Sequence, residues 1–172
     1  MKNTQKLTEI AVATALAVVC SFIKVLEMPQ GGSVALTMIP LLFIAQRRGI
    51  IAGCISGGIY GILSVLLAGV VYHPASIFLD YILAFGILGI AGLFKKNLCG
   101  IVCGSITAVG GRFISSLISG AVLFAEYAPE GQNPWIYSLV YQATDMIPEL
   151  LISVLILGLI YAKAPSLFKA NK

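Results

Sequence analysis

Six long apolar segments separated by short polar breaks take up nearly the whole chain. Their low charge and their length predict helices over residues 7–26, 34–46, 50–70, 74–94, 98–124 and 135–162. Five of these reach the roughly 20 residues that a bilayer crossing needs. The second does not: its 13 residues rise only about 20 Å. The preceding loop, residues 28–33, is therefore expected to dip toward the membrane from outside, where irregular backbone is tolerated only if protein buries it or it lines a cavity. Pro74 and Pro134 stand at or just before helix starts, where a missing N–H leaves no bond unmade. Gly49, Gly53, Gly57 and Gly61 recur every four residues and predict a smooth stripe on the third helix for close backbone packing. Ala11 and Ala15, with Ala13 and Ala17 on a nearby face, make the first helix equally smooth. Such a face serves either the bundle itself or a partner protein.

The charges orient the segments. Lys2 and Lys6 precede the first, Arg47 and Arg48 follow the second, Lys95 and Lys96 follow the fourth, and Lys163, Lys169 and Lys172 follow the sixth. The intervening breaks carry Glu27, then His73, then Glu126 and Glu130. Positive charge next to membrane ends stays cytoplasmic, so the alternation predicts six spans with both termini inside. Composition agrees: 59% of residues are hydrophobic and 10% charged, with mean hydropathy +0.98, whereas soluble domains are about a quarter charged. A soluble fold is excluded, and no length is left for a second, water-soluble domain. Residues 1–172 read as one all-α integral membrane domain. The net charge of +4 belongs to cytoplasmic loops beside anionic lipid rather than to nucleic-acid binding. The lysines and apolar run at the start resemble a signal peptide, but the run lacks a small-residue cleavage site and reads as the first span. Cys20, Cys54, Cys99 and Cys103 lie in or at the ends of apolar stretches without CxxC spacing, so they read as small hydrophobes and no metal site is expected.

Asp80, Arg112, Asp145 and Glu149 fall inside predicted spans, where an ionised side chain costs at least about 2.5 kcal/mol and signals function. Counted from the outer ends, Asp80 lies about 9 Å deep, Asp145 about 15 Å, and Arg112 and Glu149 about 20 Å. Arg112 is thus placed to pair with Asp145 or with Glu149. Either pairing leaves anionic charge over, and Asp80, the shallowest, either protonates or waits for a cation from outside. Tyr72, Phe124, Tyr127, Trp135, Tyr137 and Tyr141 stand in the same outer half. Tyr127 and Trp135 fit an interfacial belt, whereas Tyr137 and Tyr141 share the face that continues to Asp145. On the fifth helix Arg112, Ser116, Ser119 and Gly120 form a polar stripe ending in a gap at Gly120. Rings around a carboxylate suit a flat organic cation.

The segments MPQGGSVALTMIP (from Met28), HPASIFLDYILAFGILGIAGLF (from His73) and ISGAVLFAEYAPEGQNPWIYSLVYQAT (from Ile118) resemble the thiamine-specific S component of energy-coupling factor (ECF) transporters. The resemblance runs from near Thr8 to the C-terminus. It implies a six-helix vitamin-capturing subunit with the S-component fold in a bacterial cell membrane. Its partners would be a shared membrane coupling protein and two cytoplasmic ATPases, docked through the alanine face at Ala11 and Ala15. The same resemblance makes Asp80 and Tyr81 an acidic-aromatic ligand pair and places Arg112 and Gly120 at contact positions. Phe124 stands where a stacking aromatic is common, Tyr137 matches the tyrosine of helix six, and Tyr60 falls where some members carry tryptophan. Ser116 stands where the family has histidine, Gln142 where it has asparagine, and Asp80 is one methylene shorter than the glutamate of some members.

The reading that follows is a thiamine-binding transport subunit, not an enzyme. Asp80 pairs with the positive or amino end of the vitamin, Phe124 and the tyrosines stack, Gln142 and Ser116 bond ring heteroatoms, and the loops at residues 28–33 and 125–133 close over it. No GxxxxGK[ST] phosphate loop occurs, so no cofactor is assigned to this chain and ATP is assigned to partner subunits. The departures at Ser116, Gln142 and Asp80 keep a thiamine precursor, analogue or other small vitamin open as ligand. A stand-alone carrier in which Arg112, Asp145 and Glu149 relay protons is the rival of another class. A membrane enzyme fits poorly, because no matched Ser, His and Asp set or HExxH occurs.

Overall fold

Helix ends are set by side chains that satisfy otherwise orphaned backbone N–H groups. Asn97 accepts from the Gly100 N–H, Asn133 from the Trp135 N–H, and His73 Nδ1 from the Ala75 N–H. Gly49, at φ 91°, ends another helix in a conformation that glycine adopts at little cost. The computed structural model describes residues 2–27, 33–68, 73–129 and 131–169. In chain order these form α1 (Lys2–Ser21), β1 (Lys24–Glu27), β2 (Ser33–Ala35), α2 (Met38–Arg48), α3 (Ile50–Ala68), α4 (Pro74–Leu93), α5 (Leu98–Leu123) and α6 (Pro134–Lys163). Single 3₁₀ turns follow at Ala125–Tyr127 and Pro165–Phe168. The stretches Ile50–Leu67, Pro74–Leu93, Leu98–Leu123 and Pro134–Lys163 are long and apolar enough to cross a membrane.

Three predicted boundaries are corrected. The first helix covers Lys2–Ser21 rather than residues 7–26, and the second begins at Met38 rather than at residue 34. Between them the chain is not continuous helix and loop. Strands β1 and β2 pair antiparallel, with Lys24 opposite Ala35, Leu26 opposite Val34 and Glu27 opposite Ser33. Pairing gives the backbone leaving α1 the partners that a helix no longer supplies. The connecting residues 28–32, to which the sequence assigns a ligand-covering loop, lie outside the described residues, as does Tyr72.

Helix α2 has 11 residues, and Met38, Pro40, Leu41, Leu42, Ile44, Ala45 and Gln46 are all buried. It is short because it is the centre of the bundle rather than a lipid-facing span. Around it gather Leu88 and Ala91 of α4, Ile101 and Ala108 of α5, Leu157 of α6 and Phe168. The glycine stripe does what its spacing predicts. A Cβ on Gly61 would stand 2.5 Å from the Tyr81 carbonyl oxygen and one on Gly53 would stand 2.6 Å from Gly89 Cα, so α3 and α4 touch backbone to backbone. Gly57 meets the Phe85 carbonyl more closely still, whereas Gly58 faces open space. Gly57→Ala is therefore expected to destabilise the protein by about 1–3 kcal/mol through overpacking, and Gly58→Ala to leave the thermal midpoint in detergent unchanged.

On α1, Ile10, Ala13, Thr14 and Ala17 are buried, and Thr14 Oγ1 lies 2.9 Å from Ser56 Oγ of α3. Ala11 and Ala15 lie on the opposite, exposed face. At one end of the bundle Glu9 takes Arg47 Nε at 2.8 Å and Arg48 Nε at 2.5 Å. Arg47 also donates to the Leu167 carbonyl, and Lys96 Nζ donates to the Arg47 carbonyl at 2.7 Å. Arg47, Arg48 and Lys96, far apart in sequence, thus meet at one end of the bundle. Cys99 and Cys103 are exposed rather than buried hydrophobes, with their sulfurs 3.9 Å apart on successive turns of α5.

Candidate functional site

The charged residues of the spans cluster toward the end of the bundle opposite Glu9. Asp80 and Tyr81 sit in the middle of α4, whose backbone is α-helical over Pro74–Ser76, widens to π geometry over Ile77–Leu83, and returns to α at Ala84–Ile87 and to 3₁₀ at Leu88–Leu93. Ser119 Oγ of α5 donates to Asp80 Oδ2, and Ser115 Oγ, one turn deeper, donates to the Leu79 carbonyl at 2.7 Å. Among the described residues no cationic side chain lies within ion-pair distance of Asp80.

Arg112 lies a turn below Ser115 and is buried. Its Nη1 reaches Glu149 Oε2 at 3.5 Å, which settles its partner as Glu149 rather than Asp145. Its guanidinium carbon sits 4.2 Å from the centroid of the Phe85 ring, and that ring packs edge-on against Tyr60 at 4.6 Å. Glu149, only 3% exposed, also accepts from Thr37 Oγ1 at 2.7 Å and from the Met38 N–H at 3.1 Å. One carboxylate therefore joins α5, α6 and the start of α2, where a negative group suits the helix dipole. Arg112 Nε and Asp145 Oδ1 are buried with no hydrogen-bond partner among the described residues. Among the described residues, Asp80 and Asp145 thus form no ion pair, while Arg112 pairs with Glu149.

The polar stripe on α5 meets α6 rather than open space. At Gly120 a Cβ would overlap the Ser138 hydroxyl, so the expected gap is filled by α6. Ser138 Oγ donates to the Leu117 carbonyl at 3.0 Å, and Gln142 Nε2 donates to the Ser116 carbonyl at 3.3 Å. Tyr137 and Tyr141 stack 6.4 Å apart with planes 30° from parallel, and Phe124 tilts against Tyr127 at 5.9 Å. Tyr60, expected at a ligand-contact position, is 3% exposed in the core behind Phe85. Arg112, expected among the contacts, spends its charge on Glu149 and Phe85.

The arrangement therefore combines a half-buried Asp80 held by one serine hydroxyl, buried hydroxyl and amide groups that bridge α5 and α6, and ring pairs at the C-terminal end of α5 and the start of α6. Ser115, Ser138 and Thr37 escaped the sequence reading. The serine repeat at 115 and 119, spaced by one helical turn on the Asp80 side of α5, was the available signal for the first of them.

Residues 7–169 match the family model described as Thiamine transporter protein (Thia_YuaJ). The thiamine transporter ThiT of Bacillus subtilis (strain 168) is 38% identical over 187 aligned positions, covering 99% of this chain and 97% of that protein. The thiamine transporter ThiT of Lacticaseibacillus paracasei is 27% identical, covering 99% and 93%. Among solved structures, ThiT from Listeria monocytogenes superposes with a TM-score of 0.89 at 27% identity, covering 99% of this chain and 100% of that one. With its apolar helices and this match along nearly its full length, the chain belongs to the thiamine transporter family.

Proposed function

We propose that this protein is the thiamine-capturing S component of an ECF importer in the bacterial cell membrane, with six spans and both termini cytoplasmic. Thiamine is a cation built of two flat rings, and the observation that carries the assignment is Asp80, an intramembrane carboxylate with a serine donor and, among the described residues, no ion-pair partner. A charge in that environment interacts far more strongly than in water. Tyr81 neighbours it in sequence, the Tyr137–Tyr141 and Phe124–Tyr127 pairs supply ring faces, and Ser116 and Gln142 supply polar edges. Arg112 and Gly120 act from behind, the one by holding Glu149 and the other by admitting Ser138. Titration of the purified protein with thiamine, read by quenching of Trp135, the sole tryptophan, tests the ligand. Saturable binding with one site per chain is expected, and a phosphate-free precursor binding more tightly than thiamine would reassign the ligand.

Uphill uptake is assigned to a membrane coupling protein and two ATPases, reached through the exposed face of Ala11 and Ala15. Ala11→Trp or Ala15→Trp is expected to abolish uptake in cells while leaving thiamine binding by the purified chain unchanged, because neither residue packs in the bundle. Loss of both together would make the alanine face ordinary core. Uptake that persists without the ATPases and collapses with an uncoupler would instead establish a proton-coupled carrier.

A further inference from the structure

The wide turn in α4 is gripped from two sides at the two residues that matter for the ligand. Over Ile77–Leu83 the backbone is π-helical between α-helical flanks. Such turns are rare, and they occur often at functional sites because they re-aim side chains. From α5, Ser115 Oγ holds the Leu79 carbonyl at 2.7 Å, and Ser119 holds the next residue's carboxylate. From α3, Gly61 leaves only backbone against the Tyr81 carbonyl, at a separation that a Cβ would close to 2.5 Å. Residues 79, 80 and 81 are thus each fixed by a different neighbour. Ser115 itself is buried, and its hydroxyl has no role in the α5 ladder, since it spends its proton on another helix.

We infer that Ser115 and Gly61 are positioning residues that keep α4 in its wide turn so that Asp80 and Tyr81 face the ligand. In a regular α-helix each residue turns about 100°. Closing the wide turn to α geometry would rotate Asp80 by roughly that amount relative to the rest of α4 and part it from Ser119. This inference rests on the proposal that Asp80 receives the cation of thiamine.

The test compares purified full-length Ser115→Ala and Gly61→Ala with Ser105→Ala. Ser105 is a buried serine of the same helix that bonds the Ile101 carbonyl and Gln46 far from Asp80. Each variant is titrated calorimetrically with thiamine, and its ligand-free thermal midpoint is measured. Ser115→Ala is expected to weaken binding roughly tenfold, with a thermal midpoint like that of Ser105→Ala, whose affinity stays at the parent value. Gly61→Ala is expected to lose affinity as well. Unchanged affinity in Ser115→Ala, or an equal loss in Ser105→Ala, overturns the positioning role while leaving the thiamine assignment standing. Failure of the parent itself to bind thiamine overturns both.

Discussion

Asp80→Asn is expected to weaken thiamine binding by more than about tenfold without unfolding the protein. Asparagine keeps the side-chain length and an oxygen that can accept from Ser119, so the local hydrogen bond survives. What is lost is the charge. Contacts to charged groups contribute about 1.5–3 kcal/mol, and each 1.4 kcal/mol is about tenfold in affinity. Asp80→Glu retains the charge and is expected to fall between parent and Asp80→Asn, because the added methylene displaces the carboxylate from Ser119. Calorimetric titration of the three proteins checks the order. Parent-like affinity in Asp80→Asn would remove the pairing role from this residue.

Glu149→Ala is expected to have the largest effect on stability, about 3–5 kcal/mol, because it strands a buried guanidinium. It also leaves the Thr37 hydroxyl and the Met38 N–H without their acceptor. The double replacement Arg112→Met with Glu149→Leu removes both charges and is expected to be more stable than Glu149→Ala, since a buried ion pair is often no better than well-packed apolar residues. Thermal midpoints in detergent measure this. If Glu149→Ala melts with the parent, the ion pair at 3.5 Å is not holding α2, α5 and α6 together.

The helices were legible in the sequence because hydropathy and length report directly on what can sit in lipid. The hairpin was not. Strands of four and three residues are too short to show a period, and an apolar Val25 reads equally well as the last turn of a helix. Asp80 was singled out from its charge and depth alone. The wide turn that aims it leaves no trace in hydropathy, since π and α geometry use the same apolar residues. Depth counting put Arg112 level with two carboxylates one turn apart. The choice of Glu149 depended on the start of α2, whose Thr37 and Met38 come from more than 100 residues away. Gly120 reads in the sequence as a gap; Ser138, which fills it, belongs to a helix whose rotation the sequence does not specify.

The central claim is that an intramembrane acid awaits a flat cation, and charge discrimination tests it most directly. The parent protein and Asp80→Asn are each titrated with thiamine and with an uncharged isostere in which a neutral five-membered ring replaces the thiazolium. The account predicts that the parent prefers thiamine strongly and that Asp80→Asn loses most of that preference. A parent that binds both ligands alike, or a variant that keeps the full preference, would contradict it.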